Sequence, residues 1–421
     1  MRSPFQQGNP SRIIKSVVGI PSRRIEYGYY LITAYTILGG YFGLEIPLLA
    51  AALTVALAFF CLQHFGSQAT KILAPVALLL ASMIASIGVQ IALHQTSLSD
   101  AYITRSILWI SGTIIVQSLA LRPGFLYRCA IVLFVIGIVP LRDLTFSGGG
   151  GAVDQARLDA AVQGSLSHPA GLAYWFGFCA VFFAIAGLED KRVRIQILYW
   201  MAAVGSLLVV ALTVERGPLL ATAIAITIAF RRILKRGFLP VLLLIILTGI
   251  VIESGLFADS VAQYQTRGLE ETGRLVIWPM IIDRILESPW VGVGATNVGT
   301  QLFVLDRSFI TPHNAFLYFA LASGVVPFAL FVAFWIRATL ASLTHRDVSN
   351  SAVFRIPLLA YGLVFFMTGD GGPEPWVLLI LAVIAGRGIP HDVTRIAVVR
   401  RIRRPGAATS LARPSPAEGP H

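Results

Sequence analysis

Pro169-Ala-Gly-Leu-Ala-Tyr-Trp-Phe-Gly-Phe-Cys-Ala-Val-Phe-Phe-Ala-Ile-Ala-Gly187 runs for nineteen residues without one charge. A helix rises about 1.5 Å per residue, so roughly 20 apolar residues cross the hydrocarbon core of a bilayer. That length rule, carried along the chain, predicts twelve spans: 27–43, 46–62, 70–92, 102–121, 124–141, 169–187, 195–213, 217–231, 238–256, 313–336, 352–369 and 373–388. The expected fold class is therefore all-α: a polytopic membrane helix bundle of about 12 transmembrane helices, with a large extracytoplasmic loop containing an amphipathic helix.

Composition points the same way. The 421 residues are 56% hydrophobic and only 13% charged, with a mean hydropathy of +0.75. Soluble domains carry about 25% charge. The net charge of +12 raises the question of a nucleic-acid partner, and the placement of the charges answers it. With the N-terminus inside, 25 of the 33 Lys and Arg fall in segments predicted to face the cytoplasm and seven in outer segments. This is the positive-inside bias of a membrane topology, so no nucleic acid is expected. Cys61, Cys129 and Cys179 all lie in apolar runs, an odd buried set that reads as packing and not as a disulfide frame or a zinc site.

The chain divides on this reading into a basic cytoplasmic segment (1–26), a polytopic membrane domain (27–389) and a basic tail expected to be disordered and cytoplasmic (390–421). The first 26 residues are polar and the first apolar run is a full span, so no cleavable signal peptide is expected. Ser11–Ile20 reads as a short interfacial helix, and the tail Arg400-Arg-Ile-Arg-Arg404 as an anchor near anionic membrane lipids.

Two predicted outer loops are long, 142–168 and 257–312, and loops of that length are usually functional or disordered. The first holds Gly148–Gly151, a spacer or hinge. In the second, Leu275, Trp278, Ile282 and Ile285 recur at helical spacing among Arg274, Asp283, Arg284 and Glu287. This predicts a helix on the outer membrane surface, bounded by Gly273 and by Ser288-Pro289, with Pro279 in its first turn or so.

Three residues on the predicted outer face carry the chemistry of interest. Arg216 sits in Thr213-Val-Glu-Arg-Gly-Pro218, a tight turn between two spans. There it is either a snorkelling side chain, or one paired with Glu215, or a guanidinium fork for phosphate oxygens. Arg274 opens the amphipathic helix and is either a solvated helix-end charge or part of an anion site built with backbone N–H groups. His313, followed by Asn314, stands after Pro312 where a span begins; it is either a capping residue or a base that takes a proton from a hydroxyl. Gly292-Val-Gly-Ala-Thr-Asn-Val-Gly299 has no strand before it and reads as a turn, not as a dinucleotide loop. His168-Pro169 reads as a helix start. The chain has no Asp-x-Asp pair, so the usual metal clamp for a sugar nucleotide is missing.

Thr213-Val-Glu-Arg-Gly-Pro-Leu-Leu-Ala221, Gly273-Arg-Leu-Val-Ile-Trp278, Ser288-Pro-Trp-Val-Gly-Val-Gly294 and Pro312-His-Asn-Ala-Phe-Leu-Tyr-Phe-Ala-Leu-Ala-Ser-Gly-Val-Val-Pro327, in that order, resemble the bacterial O-antigen ligase and polymerase superfamily. Arg157 and the later Gly164-Ser-Leu-Ser-His-Pro-Ala-Gly-Leu-Ala173 are similar to a looser motif of the same family. The resemblance covers about 155 to 335 and, by topology alone, the earlier spans. It implies a cofactor-free, metal-independent glycosyltransferase of the cell inner (cytoplasmic) membrane with an extracytoplasmic active site. The donor would be a glycan on a polyprenyl diphosphate, the acceptor a glycan or lipid-glycan, with a flippase and a chain-length regulator as further partners. Carried over by position, Arg216 and Arg274 would bind the diphosphate and His313 would activate the acceptor hydroxyl. Asn314, Arg157, His168, Trp278 and Gly294 would line the substrate site. Glu215 stands where many members have a small hydroxyl residue, which weakens the positive field at Arg216.

Two other functions compete. A secondary transporter also commonly has twelve spans, but transporters place ionisable residues inside their spans and repeat their halves; these spans hold almost no internal acid or base, and the halves differ, with the long loop late in the chain. A scaffold for polysaccharide assembly would tolerate loss of all three candidate catalytic residues.

Overall fold

The computed structural model describes residues 22–44, 46–63, 67–93, 101–120, 122, 124–147, 157–160, 169–234, 274–294, 303–304, 307–308, 312–344, 350–369, 372 and 374–385. In chain order these form α1 (Arg23–Tyr41), α2 (Pro47–Gln63), α3 (Ser67–Ala92), α4 (Ala101–Leu119) and α5 (Phe125–Ile138), which runs on into a 3-10 turn over Val139–Asp143. The antiparallel strands β1 (Leu144–Ser147) and β2 (Arg157–Ala160) come next, then α6 (Pro169–Glu189), α7 (Val193–Leu212), α8 (Arg216–Leu234) and α9 (Arg274–Glu287). A second two-stranded ribbon, β3 (Phe303–Val304) and β4 (Arg307–Ser308), precedes α10 (Ala315–Ser323), α11 (Val325–Thr344), α12 (Asn350–Thr368) and α13 (Pro375–Ala385).

The expected helix bundle is present, with two small departures from all-α. β1 pairs with β2 so that Ser147 faces Arg157, and β3 pairs with β4 so that Phe303 faces Ser308. Among the described residues, Phe125–Arg142, Pro169–Glu189 and Val193–Leu212 are long and apolar enough to cross a membrane, and six further apolar helices are shorter. The predicted span 238–256, the Gly148–Gly151 run, the Ser11–Ile20 segment, His168 and the tail lie outside the described residues.

The predicted span 313–336 is two helices instead of one. α10 ends at Gly324, whose φ of 86° and ψ of 178° leave the helical region. Pro327 lacks an amide proton, which a helix tolerates only in its first turn, and it falls in the first turn of α11.

The fully apolar α6 is the hub. Nearly every side chain from Leu172 to Gly187 is buried, as expected of a helix with no polar face. It packs against α5, α7, α8 and α12, with Phe182 stacked on Phe354 at 4.7 Å and Trp175 Nε1 donating to the Leu133 carbonyl at 3.1 Å. Tyr127, near the start of α5, meets Phe182, near the end of α6; the two helices therefore run antiparallel. α2 and α7 turn Leu48, Leu53, Phe59, Ile197, Leu198 and Met201 outward. An exterior this apolar is stable only against lipid, and the chain is a membrane protein.

The bundle has two chemically distinct ends. At the start of α1 and α5, Glu26 is 2% exposed and accepts from Arg128 Nε at 2.6 Å and Nη2 at 3.0 Å. Arg122 Nε lies 2.9 Å from its other oxygen, and Tyr30 Oη donates to Oε1 at 2.7 Å. Because α5 and α6 are antiparallel, the N-terminus of α6 lies at the opposite end.

Candidate functional site

That opposite end holds Arg157, Arg216, Arg274, Trp278, His313 and Asn314 of the sequence-predicted residues, whereas Gly294 lies at the far end of α10. Arg216 is the first residue of α8 and is exposed. The next residue, Gly217, sits so close to α6 and α12 that a Cβ there would lie 2.6 Å from Tyr174 Oη and 3.1 Å from Thr368 Oγ1. Tyr174 and Thr368 hydrogen-bond each other, and Tyr361 Oη donates to the Tyr174 carbonyl at 2.6 Å. The start of α8 is thereby wedged between the start of α6 and the end of α12.

Two turns of contact lead from there to His313. Phe366, near the end of α12, packs at 6.4 Å on Phe316, in the first turn of α10. Asn314 caps α10: its Oδ1 accepts from the amides of Phe316 at 3.0 Å and Leu317 at 3.2 Å, satisfying two donors the helix leaves open. His313, half-buried, precedes the cap.

α9 brings Arg274 to the same neighbourhood. Trp278 Nε1 donates to the Pro312 carbonyl at 3.2 Å, next to His313. Arg274 opens α9, four residues and about 6 Å along the helix axis before Trp278. The far end of α9 leads into the turn at Gly292, whose neighbour Val293 donates to the Leu321 carbonyl at the end of α10. α9 and α10 thus lie side by side with their N-termini together. Ile277 and Ile281 are buried against Tyr318, Leu321 and Ala322, with Trp278 and Ile285 flanking them. The expected stripe is corrected here: Ile282 is 47% exposed, and Pro279 is the sixth residue of the helix, inside it, not in its first turn.

Backbone strain marks the same two places. Among the described residues, the non-glycine positions with positive φ are Val214 (54°) and His313 (49°). Histidine visits this region more readily than most residues, whereas a β-branched valine there is an outlier. Val214 is fully buried two residues before Arg216, and sequence reading had no signal for it. The pairing of Tyr174 with Thr368 was equally silent in the sequence, because both lie within apolar helices.

The arrangement sets the N-termini of α8, α9 and α10 at one end, each carrying partial positive charge, beside two arginines and a histidine. An anion with two phosphates suits such a field. Arg157 opens β2, which packs against α6 and the 3-10 turn. Gly294 lies where the loop returns past α10, its amide donating to the Ala322 carbonyl at 3.2 Å. No group of three or more His, Cys, Asp or Glu that could hold a metal occurs among the described residues.

No curated protein matches the chain. The family model described as O-antigen ligase matches residues 201–332, from α7 into α11. That segment includes Arg216, Arg274, Trp278, Gly294, His313 and Asn314 and begins after Arg157 and His168. Over these residues, about a third of the chain, it is similar to the O-antigen ligase family, and the match supports the resemblance read from the sequence motifs.

Proposed function

We propose that the protein moves a glycan from a polyprenyl diphosphate to an acceptor hydroxyl, at the extracytoplasmic face of the cytoplasmic membrane. His313 takes the proton of the acceptor hydroxyl. The freed oxygen attacks the anomeric carbon, the carbon–oxygen bond to the diphosphate breaks, and the polyprenyl diphosphate departs with the electron pair. Arg216 and Arg274, with the helix N-termini behind them, stabilise the charge that grows on the leaving oxygens. The proton then passes from the imidazolium to solvent or to the departing phosphate.

The observation that carries this reading is the placement of strain. Val214 and His313, the left-handed non-glycine residues, adjoin the two motifs expected to bind and to react, and strain of this kind clusters at active sites. The fit of α9 beside α10 supports the third member, Arg274. Glycan transfer by purified protein in lipid nanodiscs, from a polyprenyl-diphosphate glycan, tests it. His313→Ala and Arg274→Ala each lower the rate by about 10²–10³-fold with normal membrane insertion. Undiminished transfer by both variants would refute the assignment.

A further inference from the structure

α10 stops after nine residues, beside α3 and α9 and inside the bundle. A helix end leaves its last carbonyls without partners, and a membrane interior supplies no water to satisfy them. Here they are answered from two directions. The loop after α9 gives the amides of Val293 to the Leu321 carbonyl at 2.8 Å and of Gly294 to the Ala322 carbonyl at 3.2 Å, while Val325 donates back to Pro289 at 2.7 Å. From α3, Gln90 Nε2 donates to the carbonyls of Ala322 and Val291, each at 2.7 Å. Ser86 Oγ lies 2.8 Å from the Ser323 carbonyl and 2.9 Å from that of Val291.

The fit leaves no slack. Gly292 and Gly324 both have positive φ, and a Cβ on Gly292 would lie 2.6 Å from the Leu321 carbonyl oxygen. Gln90 is 0% exposed and Ser86 8%. Two polar side chains buried on an apolar helix, one turn apart, thus clasp two backbone segments 201 to 237 residues further along the chain.

We infer that Ser86 and Gln90 are positioning residues: through the Val291 and Ala322–Ser323 carbonyls they fix where α10 lies, and so where His313 stands relative to Arg274. α10 is about 13 Å long, with His313 at one end and this latch at the other. Trp278 holds the near end through Pro312. A stiff rod of that length passes a shift at its foot to its head. α3 lies outside the segment that matches the family model, so a separate part of the chain sets the geometry of the matched one.

The catalytic consequence rests on the function proposed for His313; the latch itself does not. Hydrogen exchange at the amides of Val293, Gly294 and Val325 is measured in purified protein alongside kcat and KM for glycan transfer. The variants are Ser82→Ala, Gln90→Leu and Gln90→Glu. Among the described residues Ser82 Oγ bonds to the Leu79 carbonyl within its own helix, so Ser82→Ala matches wild type in both readouts. Gln90→Leu accelerates exchange at the three amides about tenfold or more and leaves α6 unchanged. It also lowers kcat about 10²-fold with KM unaltered. Gln90→Glu, when ionised, faces two carbonyls with no donor and behaves like Gln90→Leu; on acidification its carboxyl gains a donor, and exchange at the three amides, taken relative to their intrinsic rates, slows toward wild type. Wild-type kcat and exchange in Gln90→Leu would overturn the inference, as would faster exchange throughout α6 and α12. If wild type itself transfers no glycan, the catalytic reading fails, and the exchange at the three amides alone decides whether the latch holds α10.

Discussion

A methyl group at position 217 has nowhere to go. Its nearest neighbour would be Tyr174 Oη at 2.6 Å, and overpacking of this kind costs about 1–3 kcal/mol. Gly217→Ala therefore lowers the unfolding temperature in detergent, and adding Tyr174→Phe, which removes the offending oxygen, recovers part of the loss. Equal instability of the single and double variants would show that the contact does not set the start of α8. The residues expected to do chemistry were legible because rare types stand at boundaries: Arg216 in a turn between spans, His313 after a proline. Their backbone was not. Nothing in Thr213-Val-Glu-Arg distinguishes a valine at φ 54° from an ordinary turn residue, because a left-handed conformation runs against the local preference of a β-branched side chain.

At the scale of the helix, Asn314 is the clearest case of a residue with a structural duty. Its Oδ1 holds two amides of α10, so Asn314→Ala costs about 0.5–2 kcal/mol, measured by chemical denaturation. Asn314→Asp keeps the acceptor and the stability; a similar loss in both variants would contradict the capping role. The existence of α9 and its last residue were readable from the apolar spacing and from Ser288-Pro289. Its facing was not. Ile277, Ile281 and Ile285 repeat every four residues and so do Trp278, Ile282 and Leu286; two adjoining apolar arcs leave the choice to tertiary contact, and the first arc meets α10. The break at Gly324 was hidden for a related reason. A length rule sees only hydrophobicity, and Ala315–Ala333 carries no charge, whereas the chain leaves the helix at Gly324, where the loop and α3 satisfy the final carbonyls of α10.

For the molecule as a whole, the asymmetry between its ends is the organising feature. One end is closed by Glu26, Arg122 and Arg128, the other gathers helix N-termini around Arg216, Arg274 and His313. The sharing of Glu26 between two arginines agrees with the charge bias, which set the N-terminal segment and the turn at 122–128 on one side. Glu26→Ala leaves two guanidinium groups without their carboxylate. The expected cost is about 2 kcal/mol, below the roughly 3–5 kcal/mol of fully buried pairs because Arg128 is 45% exposed; thermal unfolding that matched wild type would remove the pair from any role in joining α1 to α5. Apolar length made the bundle readable, while the contacts that join α8, α9 and α10 depend on long-range packing that no local pattern encodes. The central claim is that both arginines bind one diphosphate. A double-mutant cycle tests it most directly: affinity for glycan-free polyprenyl diphosphate in wild type, Arg216→Ala, Arg274→Ala and the double variant. The account predicts weaker binding in each single variant and a coupling energy of about 0.5–3 kcal/mol between them; strictly additive losses, or wild-type affinity in either single variant, would contradict it.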